Sequence, residues 1–188
     1  MNIQDFTNNK IQHLFWGRLE LKKASAYLKF EQHGKTQHLL HALKYKGIKE
    51  VGITLGELAA IELMEGNFFA EIDVLLPIPI HRIKTKKRGF NQSHFIAKGI
   101  SNITEITIDV ASMIKNINTK SQTKKNRFER FENVSQTFEI VNSKQLEHKH
   151  VLLIDDVVTT GATIEACGNT LRNINGIQLS LLTIASTY

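Results

Sequence analysis

A chain of 188 residues, 41% of them hydrophobic, is long enough for one sizeable core, and a single domain spanning residues 1–188 is the expectation. Lys and Arg outnumber Asp and Glu by 24 to 18, a formal charge of +6, which favours an anionic partner (nucleic acid, a phosphorylated metabolite or an anionic membrane surface) without choosing among them. The lone Cys167 excludes an internal disulfide and any cysteine-built structural zinc site. No apolar stretch approaches the roughly 20 residues that span a bilayer, and Asp5, Lys10, His13, Arg18 and Glu20 interrupt the apolar run a secretory signal needs. A soluble, cytoplasmic protein is expected.

In chain order, Phe15 and Trp16 read as core or cover rather than as a base-stacking platform. Residues 24–30 form the first run of strand character. Residues 35–46 follow as a helix, with Leu39, Leu40 and Leu43 above a lysine-rich face, and His38 and His41 at helical spacing lack a third metal ligand. A second helix covers 50–64. The strand pattern of 72–80 runs into Pro77-Ile78-Pro79, where the prolines forbid a central strand or helix from continuing. There follows a basic turn with Arg82, Lys84, Lys86, Lys87 and Arg88. That charge reads as a solvated surface, or as a seat for pyrophosphate or a nucleic-acid backbone.

A helix over 93–103 presents Ile96, Ile100 and Ile103, and strand patterns return at 106–114 and 137–141. Between these two, residues 119–138 are polar and cationic, the composition of an exposed active-site lid or of a disordered basic connector. The last strands are 151–155 and 177–185. They flank a helix whose face of Ile164, Cys167, Leu171 and Ile174 places the cysteine in the core. Strands alternating with amphipathic helices imply an α/β fold with a mostly parallel sheet flanked by helices, and ligands of such sheets bind beyond the carboxyl ends of the strands.

Asp155 and Asp156 are expected to end their strand, followed by Val157, Val158, Thr159, Thr160, Gly161, Ala162 and Thr163. Carboxylates accept charge-assisted hydrogen bonds from a sugar diol, a glycine permits a positive-φ turn, and the helix starting near Thr163 aims its positive end at the loop. Those are the parts that hold a ribose 5-phosphate. A plain strand-to-helix connection with an N-cap uses similar residues, but the complete string is more specific, and neither G-x-x-x-x-G-K-[ST] nor G-x-G-x-x-G occurs. On this reading the acids serve a ligand rather than the protein's own lysines.

The string resembles the phosphoribosyltransferase signature: apolar strand residues, two acids, two variable residues and T-G-x-T. Pro77-Ile78-Pro79 with Arg88, Gly89, Phe90, Asn91 and Gln92, and then Gln122, Glu129, Arg130, Asn133, Val134 and Phe138, are similar to the competence protein F (ComF) branch of that superfamily, associated with DNA uptake in naturally transformable bacteria. The resemblance covers residues from about Phe15 to Ala185. It implies a type I phosphoribosyltransferase fold with a small N-terminal hood in residues 1–50, lacking the four-cysteine zinc ribbon with which many relatives begin, and no zinc.

It further implies that Asp155 and Asp156, as catalytic residues, contact the ribose hydroxyls of 5-phosphoribosyl 1-diphosphate, and that 157–163 wrap its 5-phosphate. Pro77, Ile78, Pro79, Ile80 and His81 occupy the pyrophosphate-loop position with Arg88 as a cation, and Gln122, Arg130 and Asn133 belong to a flexible loop. Magnesium is expected on donor oxygens and water, with no direct protein ligand. The activity implied is phosphoribosyl transfer to a nitrogen acceptor, linked to competence. The alternative is a non-catalytic protein that binds single-stranded DNA or DNA-uptake machinery.

Overall fold

A computed structural model describes residues 6–115 and 137–188. Its elements are α1 (Lys10–Leu14), β1 (Ala24–Lys29), α2 (Lys35–Tyr45), α3 (Lys49–Met64), β2 (Val74–Pro77), α4 (Arg82–Arg88), α5 (Gln92–Thr104), β3 (Thr107–Ile108), β4 (Met113–Lys115), β5 (Phe138–Ile140), β6 (His150–Val158), α6 (Ala162–Leu171) and β7 (Gln178–Ser186).

Five strands make one parallel sheet in the order β1-β7-β6-β2-β3, while β4 and β5 pair antiparallel beside it. The central strands carry apolar side chains on both faces, as parallel strands covered twice must. Val151 and Leu153 face the layer of α1 and α6 with Phe15, Ile164, Cys167 and Leu171. Leu152 and Ile154 face the layer of α2, α3 and α5 with Leu43, Ala59, Ile96 and Ile100. Helices α3 and α5 cross closely because Gly56 and Gly99 have no side chain: a Cβ at either would collide with a backbone carbonyl of the other helix. Residues 24–29, within the segment assigned to a hood, supply the sheet's edge strand.

Three elements depart from the sequence reading. The basic run expected to be a turn is the helix α4: the His81 ring caps its N-terminus by accepting from Ile83 N at 3.0 Å, and Gly89 closes it at φ 81°. The run 106–114 is broken in two, because the Asp109 carboxylate accepts from the Ala111 and Ser112 amides at 2.8 and 2.9 Å and bends the chain between β3 and β4. The acid pair does not end its strand either, since β6 continues to Val158 while pairing with β7 as far as Ser186. No helix among the described residues is long and apolar enough to cross a membrane.

Candidate functional site

Two ladders flank β6 and stop at different heights. Toward β7 the pairing runs to Val158, but toward β2 it stops at Pro77 opposite Ile154, after which Ile78 N donates once more to Ile154 O at 2.9 Å. Proline has no N–H with which to extend a ladder. The chain leaves the sheet there, and the acids follow directly on the strand it leaves. The acids therefore lie in the crevice beyond the carboxyl end of β2, although β6 itself runs on.

Successive strand residues point to opposite faces, and the two acids have different surroundings. Asp155 is half-buried; its Oδ1 accepts from Ser93 Oγ at 3.0 Å and from the Asp156 amide at 2.9 Å. Among the described residues nothing hydrogen-bonds its other oxygen. Burial first and the adjacent Asp156 charge second push its carboxyl up to about 7, against the opposing hydrogen bonds and the Lys44 charge. Asp156 is buried, and Lys44 Nζ of α2 stands 2.8 Å from its Oδ2. That approach has ion-pair distance without hydrogen-bond alignment, so Oδ2 is left with no hydrogen bond among the described residues. The expectation that the acids avoid the protein's own lysines is thus corrected for Asp156. Its partner lies on a helix far away in the chain, where composition and periodicity give no signal.

Beyond β6, Val157 is half-buried and Val158 buried, both still in strand, while Thr159 and Thr160 are exposed. The loop expected over 157–163 is therefore reduced to Thr159, Thr160 and Gly161, with Ala162 and Thr163 already in the exposed first turn of α6. Gly161 has φ 76°, and a Cβ there would meet the Phe15 ring at 2.8 Å. Only glycine satisfies both conditions. Behind the turn, Arg18 donates to Thr160 O at 3.1 Å and to Leu14 O at 3.2 Å and pairs with Glu165 of α6. The front of the turn presents hydroxyls, with Thr160 Oγ1 accepting from Ala162 N at 3.4 Å, and the N–H groups of a helix start, which attract an anion.

On the other side of the crevice, Ile78 is buried, and Pro79, Ile80 and His81 are half-buried. Asn91 Nδ2 donates to Ile78 O at 3.1 Å while its own oxygen caps α5 through Ser93 N. Arg88 is half-buried, donates to Gln92 Oε1 at 3.1 Å and lies 5.3 Å from the centre of the Tyr45 ring. A cleft of about 380 Å³ opens here, lined by Pro79, Arg82, Asn91, His94 and Lys115 among others. Burial, and then the neighbouring Lys84, hold the Lys115 ammonium below the usual lysine range, with the Asp155 charge opposing. Lys115 thus joins Ser93, Lys44 and Arg18 as candidate-site residues that composition and periodicity do not single out, apart from Ser93 at the start of the α5 pattern.

Gln122, Arg130 and Asn133 lie outside the described residues. Phe15 is buried, as read, but Trp16 is exposed. Cys167 is buried against Met113 Sδ, and burial pushes its thiol up. His38 and His41 are exposed, and no three His, Cys, Asp or Glu side chains converge as a metal site among the described residues.

The model of the phosphoribosyl transferase domain matches residues 41–186, which include both strand ends, both acids and the glycine turn. The chain belongs to that family, and its parallel sheet with the crossing helices is the type I phosphoribosyltransferase fold. Within the family its relatives are of the competence protein F branch. Competence protein F of Haemophilus influenzae is 24% identical over 115 residues, 60% of this chain and 50% of that protein. Competence protein ComFC of Bacillus subtilis is 32% identical over 91 residues, 48% of this chain and 35% of its own. DNA utilization protein YhgH of Escherichia coli K12 is 26% identical over 139 residues, 72% of this chain and 60% of its own. The chain thus spans between 35% and 60% of the length of these relatives. Among solved structures, the glutamine phosphoribosylpyrophosphate amidotransferase of Bacillus subtilis superimposes with a TM-score of 0.47 at 22% identity, covering 69% of this chain and 25% of that one.

Proposed function

We propose that the chain binds 5-phosphoribosyl 1-diphosphate and transfers its phosphoribosyl group to a nitrogen acceptor, in a role connected with DNA uptake. The single observation that carries this is the meeting, at one crevice, of an acid pair, a glycine-opened helix start beside it and a cationic segment across from it. Those three parts match the diol, the 5-phosphate and the pyrophosphate of the donor, whose diol lies between its two anionic groups. The names of the competence and DNA-utilization relatives support the connection with DNA.

In the proposed reaction the acceptor nitrogen forms a bond to C1 as the C1–O bond breaks. The pyrophosphate leaves with the electron pair, and the nitrogen's proton passes to water. Positive charge grows on the sugar ring and negative charge on the departing group, so catalysis is positioning plus electrostatics. Asp155 and Asp156 hold the diol and favour the sugar cation. The Thr159 and Thr160 hydroxyls and the α6 N–H groups fix the 5-phosphate, and Arg88 with Lys115 draws the pyrophosphate away from C1. Mg²⁺ arriving with the donor would neutralise pyrophosphate charge. The donor set fits a metal seated on substrate oxygens and water, with Asp155 the carboxylate able to reach it through water.

Calorimetric titration of the donor with Mg²⁺ into wild type, Asp155→Asn and Asp156→Asn tests this reading. Saturable binding by wild type, weakened in both variants, is expected; no saturable wild-type binding would sink it.

The exposed Arg82, Lys84 and Lys86 of α4 favour a second reading, in which the same fold binds single-stranded DNA or uptake machinery without turnover. Its affinity for single-stranded DNA would fall steeply with salt. A flat salt response or undetectable binding would remove it.

A further inference from the structure

We propose that Lys44 is a positioning residue of the donor site: from the last turn of α2 its ammonium balances the charge of Asp156 and holds that carboxylate ready for the ribose hydroxyls. The inference rests on the donor-binding reading above. Lys44 Nζ lies 2.8 Å from Asp156 Oδ2, with the side chains only 19% and 5% exposed. Two carboxylates on adjacent residues, one of them buried, repel each other, and a buried carboxylate without a counter-charge takes up a proton. A protonated acid spends one oxygen as a donor and accepts poorly. A diol offers two O–H donors and needs acceptors, so a cation beside the pair is a condition for binding it.

Lys44 meets that condition in a particular way. At ion-pair distance without hydrogen-bond alignment it supplies charge, while Oδ2 stays free of a hydrogen bond among the described residues. Oδ2 is itself buried, so the ammonium balances the charge there and leaves Oδ1 as the acceptor for a ligand hydroxyl. The same helix turn reaches the other half of the crevice as well, since the next residue, Tyr45, lays its ring 5.3 Å from the Arg88 guanidinium, which is itself held by Gln92. Buried Leu40 and Leu43 anchor this end of α2 in the core, and the lysine enters the site on a fixed base. Lys44 therefore belongs with the residues that shape the donor site, although it lies outside every motif of the sequence.

The opposite arrangement is a plug, in which the ammonium occupies the ribose position and must be expelled. Donor titration with Mg²⁺ separates the two, using wild type, Lys44→Met, Lys44→Arg, Asp156→Asn and the double variant Lys44→Met/Asp156→Asn, each checked by thermal melting. The expected results are a loss of about tenfold or more in donor affinity for Lys44→Met and recovery to within about threefold of wild type for Lys44→Arg. The double variant should bind no more weakly than Asp156→Asn alone, because the lysine acts only through that carboxylate. Unchanged or tighter binding by Lys44→Met, failure of arginine to rescue, or additive losses in the double variant would overturn the proposal. Should Lys44→Met fail to fold, Lys44→Gln, which keeps a polar end without the charge, takes its place with the same expected loss and the same overturning results. Absence of wild-type binding would remove the donor reading together with this one, whereas wild-type binding with an unaffected Lys44→Met removes this one alone.

Discussion

The ends of β6 and β2 lie side by side and open on one crevice, yet they are furnished with different materials. At the end of β6 the proposed anion site is made of backbone: a positive-φ glycine, two exposed threonines and a helix start, braced from behind by Phe15 and Arg18. At the end of β2 it is made of side chains: Asn91 ties down the proline segment, and Arg88, Lys115 and the exposed cations of α4 supply charge. A backbone cradle needs fixed geometry and tolerates no side chain at its turn. A side-chain field tolerates loss of a single member and is weakened by salt. The difference suits a donor whose 5-phosphate stays bound through the reaction while its pyrophosphate must leave.

The sharpest way to break this contrast is Gly161→Ala. A methyl group there meets both a left-handed φ and the Phe15 ring, which should lower stability by about 1–3 kcal/mol and donor affinity by about 100-fold. Calorimetry and thermal melting check both figures.

Asp155→Asn is next. Asparagine keeps the oxygen that accepts from Ser93 and the Asp156 amide but loses the charge. Donor affinity should fall by about 30-fold, and the melting temperature at neutral pH should rise by about 2–4 °C. The sign follows from linkage: the folded-state value, about 7, lies above the unfolded one of about 3.9, so the group's contribution to stability is complete below pH of about 4 and is lost as pH rises through about 7. Melting curves across that window should therefore fall with pH more steeply for wild type than for the variant. Donor binding to wild type should move the other way, strengthening as Asp155 ionises.

Arg18→Met removes the brace behind the phosphate turn without touching a ligand. A loss of about five- to tenfold in affinity is expected, nearly independent of salt because the defect is geometric. Arg88→Met should cost least, about threefold, and that small loss should shrink further in high salt as screening removes what the charge contributes. Parallel titrations at low and high salt distinguish these two variants, and equal salt dependence would erase the contrast between the strand ends.

Much of this arrangement was legible in the sequence because its signals are local. Periodicity marked α2, α5 and α6, and glycine at 161 marked a positive-φ turn. The acid pair followed by a Thr-Gly-x-Thr string carried the family. The misreadings also have local causes: an aspartate at 109 whose side chain breaks an apolar run, and a histidine cap and a glycine stop that turn the basic segment into α4. The extension of β6 past its acids depends on how far β7 pairs with it, and that is set by the partner strand. Lys44 beside Asp156, Arg18 behind Thr160 and Lys115 near Asp155 join distant parts of the chain. Each is an ordinary surface-type residue until the fold assigns its neighbour.

The most direct measurement of the central claim uses the two halves of the donor separately, titrating ribose 5-phosphate and pyrophosphate, each with Mg²⁺, into wild type and Gly161→Ala. Two strand ends that hold opposite ends of one ligand should bind both halves in wild type, and the glycine variant should lose ribose 5-phosphate while keeping pyrophosphate within about twofold. No wild-type binding of ribose 5-phosphate, or an equal loss of both halves in the variant, would contradict it.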